Sequence, residues 1–230
     1  MISVRCLGHA CFSLTDGMHT IVFDPFLTNN PEAVVTADEI KADALLVSHG
    51  HSDHLGDAIP ISKRTGALVV APYELAMYCQ RNGAKVHPLH IGGARQFDFG
   101  WVKLVQATHG SAVVGESLIE YTGPACGFVV RMGDKTVYYA GDTGLYGDMK
   151  LIGEVHHPQV AIVPIGDNFT MGVEDAVVAA KFVRPDVVIP MHYYAFEVIR
   201  QDPQRFARLV EGEGIKCVIL KPGETYQVED

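Results

Sequence analysis

Short apolar runs separated by turn-forming residues dominate the first third of the chain and predict β-strands there. Three runs rich in β-branched and aromatic residues cover residues 3–7, 11–14 and 20–23, with glycine and aspartate between them. We predict an antiparallel meander from this pattern. The next run, residues 44–47, is wholly apolar, which is typical of a strand covered on both faces.

Helical patterns alternate with strands through the rest of the chain. The clearest helix covers residues 72–81, because Pro72 stands at its start and Gly83 follows its end. Further predicted helices cover residues 55–63 (where Pro60 interrupts the pattern), 173–183 and 203–211. Further predicted strands cover residues 96–99, 102–107, 127–131, 136–140, 187–189 and 216–220. This order of elements fits an α/β fold of two packed sheets with helices on both outer faces, in a single domain over residues 1–230.

Residues 109–125 are the longest stretch without an assigned element. They contain glycines and Pro124. Long glycine-bearing loops in compact domains are often functional lids. A plain mobile surface loop is the alternative. If the stretch is a lid, we expect it to contribute to substrate specificity together with the tyrosines near His192.

Composition narrows the class of protein. The chain has 230 residues, of which 48% are hydrophobic and 20% charged, as in ordinary soluble globular proteins. No apolar run approaches the ~18 residues of a membrane-spanning helix, and the first residues lack the pattern of a secretory signal. The five cysteines are scattered and never spaced as CxxC, which is typical of reduced thiols. We therefore expect a cytoplasmic protein with no membrane partner. The formal net charge of −9 also disfavours a nucleic-acid partner.

The densest cluster of chemistry-bearing residues is at positions 48–54, which read Ser-His-Gly-His-Ser-Asp-His directly after the apolar run. Buried imidazole and carboxylate groups need hydrogen bonds or a metal. In an extended loop His49 and His51 project to the same side, which suits two ligands of one ion. Asp53 and His54 then begin a turn or helix and point elsewhere, which suits a second ion nearby. A solvated histidine-rich loop is the alternative interpretation.

Three more candidate ligands each follow a predicted strand. They are His109, Asp142 and His192. Taken singly, each has a structural interpretation: a surface or core histidine, or an aspartate that caps a helix. Because strand ends that converge are where α/β sheets build their sites, the recurring placement favours a common site.

The HxHxDH element at residues 49–54, followed in order by His109, Asp142 and His192 with Asp24 upstream, resembles the metallo-β-lactamase superfamily. The resemblance covers nearly the whole chain and implies an αββα sandwich. It implies that His49, His51 and His109 hold a first metal, that Asp53, His54 and His192 hold a second, and that Asp142 bridges both. It also implies that Asp24 supports the histidine loop from behind, although a simple Asp-Pro turn is the alternative for that residue.

A finer resemblance is to short metal-dependent hydrolases similar to ascorbate-phosphate lactonase, and it is carried by residues 8–12, 121–128 and 191–193. True β-lactamases usually have a cysteine where this chain has Asp142, so antibiotic hydrolysis is not expected as the main role. The resemblance also places His9 at the edge of the site. There His9 could bind an anionic group of the substrate or protonate a leaving group. A structural role is the alternative.

The implied ligand set suits zinc foremost, with manganese or iron as alternatives. Two divalent cations ~3.5–4 Å apart would share a hydroxide that attacks a carbonyl or phosphoryl centre. Asp53 would orient that hydroxide or take its proton. The predicted function is hydrolysis of an ester, lactone or phosphoester bond in a small-molecule substrate.

Three other functions compete with this hypothesis. A nuclease would need an RNA-gripping arm and a more favourable charge than this chain has. An iron-dependent persulfide dioxygenase normally uses only the first set of ligands, whereas both sets are present here. A metal-stabilised scaffold would need only one closed four-ligand site. The oligomeric state is not readable from the sequence, and a homo-oligomer is the default expectation.

Overall fold

The computed structural model describes residues 1–229, which form two seven-stranded sheets, a two-stranded hairpin and six α-helices. The first sheet contains β1 (Ser3–Gly8), β2 (Cys11–Thr15), β3 (Thr20–Phe23), β4 (Ala44–Leu46), β5 (Leu68–Pro72), β6 (Val86–Leu89) and β16 (Thr225–Gln227). The second contains β7 (Ala94–Phe97), β8 (Gly100–Gln106), β11 (Cys126–Met132), β12 (Lys135–Tyr139), β13 (Val160–Pro164), β14 (Val187–Met191) and β15 (Lys216–Cys217). The hairpin consists of β9 (Ala112–Val114) and β10 (Ile119–Tyr121). The helices are α1 (Ser52–Leu55), α2 (Ala58–Thr65), α3 (Tyr73–Arg81), α4 (Met149–His156), α5 (Val173–Val183) and α6 (Pro203–Gly212).

Both sheets are mixed. The first has the order β16-β1-β2-β3-β4-β5-β6 and the second β15-β14-β13-β12-β11-β8-β7. Strands β1, β2 and β3 pair antiparallel, which confirms the predicted meander, and β3 to β6 pair in parallel. In the second sheet β12 to β15 are parallel. Parallel strands need crossover connections, which helices supply on the outer faces.

The layers follow from where the apolar side chains lie. Phe12, Leu46, Phe128 and Ile162 pack in the core between the two sheets. A second core joins α4, α5 and α6 to the outer face of the second sheet, and a third joins α2 and α3 to the outer face of the first. The arrangement is an αββα sandwich, as predicted.

Strand β4 explains how the sandwich positions the histidine-rich loop. Ala44 and Leu46 face the core between the sheets, whereas Leu45 faces the helices. All three are fully buried. The strand is covered on both faces, as its wholly apolar sequence predicts. It therefore anchors the residues that follow it.

Some predicted boundaries are wrong. The helix predicted over residues 55–63 is two helices, α1 and α2, separated by Gly56 and Asp57. Pro60 does not interrupt α2, because it lies in the first turn, where a backbone N–H has no partner in the helix. The strand predicted over residues 216–220 pairs with β14 at its first two residues, and Val218 donates one further backbone hydrogen bond to Val188 (3.0 Å). Leu220 then turns into the core between the sheets.

Other elements have no counterpart in the sequence prediction. They are β5, β6, α4, β13, β16 and the β9–β10 hairpin, which lies within the stretch predicted as a loop at residues 109–125. Helix α4 contains Gly153, where a Cβ atom would collide with the backbone of Val183 at the end of α5. The glycine that weakens the helical pattern is thus the residue that lets the two helices pack closely. Of the helices in the described part of the chain, none is long and apolar enough to cross a membrane.

Candidate metal centre

Three histidines converge from the two sheets to form a first group. His49 and His51 lie in the loop after β4, and His109 follows β8. The Nε2 atom of His49 lies 3.0 Å from Nδ1 of His51, and Nε2 of His109 lies 3.3 Å from the same atom. One ring nitrogen from each residue thus lies within 4.8 Å of the others, a separation that one cation could span. The structure brings together the three residues predicted for a first metal.

A second group contains Asp53, His54, His192 and His9. Asp53 and His54 lie on the short helix α1, so the prediction that they begin a turn or helix is confirmed, and His192 follows β14. Asp53 Oδ2 lies 3.6 Å from His192 Nε2 and 3.8 Å from His54 Nε2. These three residues are the ones predicted for a second metal.

Asp142 lies between the two groups. It follows β12 and is almost fully buried. Its Oδ2 atom lies 3.1 Å from His192 Nε2 and 3.2 Å from His54 Nε2, both in the second group. The same oxygen lies 3.8 Å from His109 Nε2 in the first group. The carboxylate therefore lies within 4 Å of both groups, and its bridging role stays a prediction.

Asp24 lies behind the two ligand groups and accepts several hydrogen bonds. It is fully buried directly after β3. Its Oδ1 accepts a hydrogen bond from the backbone N–H of Ser48 (2.7 Å), and its Oδ2 accepts bonds from the Ser48 hydroxyl (2.6 Å) and from Nδ1 of His54 (2.7 Å). Because Asp24 accepts a hydrogen bond from Nδ1, the neutral form of His54 would carry its free lone pair on Nε2, the atom that a cation could bind. This geometry agrees with the supporting role that the resemblance implies for Asp24.

Two residues of this network were missed by sequence reasoning. The Tyr139 hydroxyl, on β12 of the opposite sheet, lies 2.7 Å from Asp24 Oδ2 and 2.9 Å from the backbone carbonyl oxygen of Ala10, and the charged carboxylate is the stronger acceptor for its one proton. The Ser48 hydroxyl lies 2.9 Å from His49 Nδ1 as well as donating to Asp24. Ser48 could have been suspected because it adjoins the histidines. Nothing in the sequence distinguishes Tyr139 from other strand tyrosines.

His9 lies at the edge of the second group. Its Nε2 lies 3.3 Å from Asp53 Oδ2, and its ring centroid lies 4.1 Å from that of His192. The side chain is fully buried. Burial lowers the pKa of His9 to about 4, against the opposing effect of its hydrogen bond to Asp53. This pKa favours the neutral imidazole near pH 7.

The carboxylates create a strongly negative environment at the centre. Burial alone would lower the pKa of His192, yet Asp142 and Asp53 raise it to about 9. The pKa of His54 is also raised, because Asp142, Asp24 and Asp53 outweigh its burial. The carboxylates favour positive charge at these imidazoles, and a bound metal cation would supply that positive charge instead.

The buried atoms at the centre fit a metal. Among the described residues, His54 Nε2, His192 Nε2 and Asp142 Oδ1 are buried without a hydrogen bond of good geometry. Such orphaned atoms are uncommon in proteins and call for an explanation such as an ion. His9, Asp24 and His192 also have positive φ angles of 58°, 39° and 58°. Backbone strain of this kind concentrates at functional sites.

The histidine loop is also held from the side of the hairpin. The backbone N–H of Gly50 donates to the Ser111 hydroxyl (3.1 Å), which lies 2.7 Å from the Thr122 hydroxyl. A Cβ atom at Gly50 would collide with the Thr122 side chain and approach the Ala112 backbone at 3.1 Å. Only glycine allows the loop to lie this close to the hairpin.

Comparison with known proteins agrees with this geometry. The model of the beta-lactamase superfamily domain matches residues 3–192, which include every residue of the centre. A UPF0173 metal-dependent hydrolase of Pelotomaculum thermopropionicum is 52% identical over 99% of this chain and 100% of its own length. The relative YtkL of Bacillus subtilis, also a UPF0173 metal-dependent hydrolase, is 50% identical over 96% of this chain and 97% of its own.

Solved structures give the same result. The metallo hydrolase Igni18 of the archaeon Ignicoccus hospitalis superposes with a TM-score of 0.89 at 35% identity, over 99% of both chains. The metallo-beta-lactamase fold protein YhfI of Bacillus subtilis superposes with a TM-score of 0.73 at 14% identity, over 99% of this chain and 100% of its own. The second likeness shows the fold alone.

Proposed function

Because the chain belongs to the β-lactamase superfamily and is a metal-dependent hydrolase, we propose that it cleaves an ester, lactone or phosphoester bond in a small molecule at a centre of two divalent cations. The finer resemblance to ascorbate-phosphate lactonase motivates the lactone in this set. The presence of both ligand groups disfavours a dioxygenase that uses only the first.

We assign His49, His51 and His109 to one cation, Asp53, His54 and His192 to the other, and Asp142 to both. Zinc suits this mixture of imidazole and carboxylate ligands best, and manganese or iron are the alternatives. When bound, such cations supply Lewis acidity and lower the pKa of water. One observation carries the assignment: five imidazoles and two carboxylates from four loops of two sheets meet around buried atoms that lack hydrogen bonds.

The chain's own residues divide the remaining work. The Asp53 side chain is 25% exposed, whereas those of His54, Asp142 and His192 are at most 3% exposed. Asp53 is therefore the carboxylate of this group that a substrate and an attacking water can reach. In our proposal it orients the water and accepts its proton. His9 holds the Asp53 carboxylate in place through its 3.3 Å contact.

The test is metal analysis of the purified full-length chain combined with a substrate screen. We expect about two zinc, manganese or iron ions per chain and hydrolysis of at least one of a panel of phosphodiesters, lactones, thioesters and aryl esters. Asp142→Asn should lower metal content and turnover together. Asp186→Asn, at an exposed aspartate in the turn before β14, is the matched control and should change neither.

Two results would overturn the proposal. A chain that binds no divalent cation would refute the metal centre itself. An Asp142→Asn protein with full metal content and unchanged turnover would remove the bridging role.

A further inference from the structure

A cavity of about 670 Å³ opens beside Asp53. Its walls come from the loop after β3, from the start and end of α1, and from the loop after β14. Cavities of this size hold small-molecule ligands. Because Asp53 belongs to the proposed centre, a molecule bound here lies next to the reacting groups.

Two phenylalanines form the apolar part of this cavity. Phe26 is buried and Phe196 is 39% exposed. Both contact His9 edge-on, with ring centroids 5.9 Å and 5.6 Å from the imidazole and interplanar angles of 79° and 74°. The two rings thus flank the approach to the second ligand group. Aromatic walls gain most from apolar or aromatic parts of a ligand.

The charge of the cavity is the second observation. Of the described residues that line it, none is a lysine or arginine. Its charged residues are Asp53 and Asp57, and Asp57 Oδ2 already accepts hydrogen bonds from the backbone N–H groups of Leu27 (3.0 Å) and Thr28 (2.8 Å). Arg200, near Phe196 in sequence, is paired with Glu197 over 3.2 Å and does not line the cavity.

An anionic substituent placed here would lose its hydration without gaining a cationic partner among the described residues that line the cavity. A cationic substituent gains little, because Asp57 Oδ2 already accepts two backbone hydrogen bonds and a cation of the proposed centre would balance the charge of Asp53. An uncharged substituent meets the two phenyl rings and the polar side chains of Thr28 and Asn29, which both donate and accept hydrogen bonds. The cavity therefore matches an uncharged apolar group.

From this cavity we infer the substrate class: an uncharged ester or lactone whose aryl or branched alkyl group lies between Phe26 and Phe196, rather than a substrate carrying a phosphate or carboxylate group there. The inference rests on the proposed function, since it concerns the substrate of the same centre. Among the proposed esters, lactones and phosphoesters, the inference favours the first two and disfavours phosphomonoesters and anionic sugar acids.

The test compares two acetate esters that share a scissile bond and differ only in the charge of the group meant for the cavity: 4-isobutylphenyl acetate and 4-(carboxymethyl)phenyl acetate, with the zinc-loaded full-length chain. We expect kcat/KM to be about tenfold or more higher for the isobutyl ester. Phe196→Ala should raise KM for that ester about tenfold, with a smaller effect on kcat. Leu209→Ala, at an exposed apolar residue on α6 outside the cavity, is the matched control and should leave both constants unchanged.

A binding measurement separates this inference from the proposed function. The chain is labelled with 4-fluorophenylalanine, and the Phe196 resonance is identified by its loss in Phe196→Ala. We expect this resonance to shift with N-(4-isobutylphenyl)acetamide and not with the anionic 4-acetamidophenylacetic acid. If both esters resist hydrolysis but this shift occurs, ester hydrolysis fails and the cavity assignment stands. If the carboxymethyl ester is hydrolysed as efficiently as the isobutyl ester, or if both amides shift the resonance alike, the inference is overturned and the hydrolase proposal survives.

Discussion

The hydroxyl of Tyr139 supports the metal centre from the opposite sheet, and its removal gives a quantitative test of that role. The hydroxyl is fully buried and lies 2.7 Å from Asp24 Oδ2. Burial and the Asp24 carboxylate raise the pKa of Tyr139, so the hydroxyl keeps its proton and donates. Tyr139→Phe removes this donor and keeps the ring, which stacks on Phe23 with centroids 4.6 Å apart and planes 12° apart.

The expected loss of folding stability follows from the kind of hydrogen bond that Tyr139→Phe removes. A hydrogen bond to a charged group contributes about 1.5–3 kcal/mol to stability. Asp24 Oδ2 keeps donors from Ser48 and His54, so the lower half of that range applies. At an m-value of about 3 kcal/mol per molar urea, a loss of about 2 kcal/mol lowers the unfolding midpoint by about 0.7 M.

The assay is urea unfolding of the metal-free chain, followed by far-ultraviolet circular dichroism. Tyr138→Phe is the matched control, because Tyr138 is the neighbouring fully buried tyrosine and its hydroxyl interacts with the neutral Tyr146 hydroxyl rather than with a carboxylate. That control should lower the midpoint less than Tyr139→Phe. Equal midpoints for the two variants would refute the reasoning that Tyr139 supports Asp24.

Three further predictions concern the centre. Asp24→Asn should weaken zinc binding about 10–100-fold, because an amide cannot accept from every donor that now faces the carboxylate. Competition against a chromophoric chelator measures the zinc affinity, with Asp148→Asn at an exposed aspartate as the control. Equal affinities of the two variants would show that Asp24 is dispensable. Gly50→Ala should destabilise the chain by about 1–3 kcal/mol, because the new methyl group would collide with Thr122. Adding Thr122→Ala should recover part of this loss. If the two substitutions lower the stability additively in thermal unfolding, that contact is not the cause. Removal of zinc by a chelator should lower Tm by about 5–10 °C, because a cation present at 100 times its Kd adds about 2.7 kcal/mol to the stability of the folded state. An unchanged Tm in calorimetry would indicate that no cation stabilises the folded state.

The residues of the centre were predictable from the sequence because they are dense and ordered. His49, His51, Asp53 and His54 lie within six consecutive positions after an apolar run, and a buried strand must deliver them to a fixed place. His109, Asp142 and His192 each follow a predicted strand, and the structure brings all of them together. Their roles as metal ligands remain a prediction.

The supporting contacts were not predictable, because they join residues far apart in the chain. Tyr139 and Asp24 are separated by 115 positions and lie on different sheets. Phe26 and Phe196 likewise meet at His9 only because three loops converge. Periodicity describes which face of a strand is buried, and it carries no information about which polar atom the opposite sheet presents.

Secondary structure was missed where local and tertiary signals disagree. Gly153 disfavours a helix locally, yet α4 forms because the glycine allows close packing on α5. The hairpin β9–β10 was read as a loop, since its strands are short and largely exposed. In α4, packing against a neighbouring helix overrides the local preference.

The split of each ligand group between the sheets has a consequence for assembly. The first group takes His49 and His51 from one sheet and His109 from the other, and the second group takes Asp53 and His54 from one sheet and His192 from the other. Neither half of the sandwich can complete a binding site by itself. Each bound cation would cross-link the two halves of the sandwich. Metal uptake during refolding should therefore report when the two halves dock.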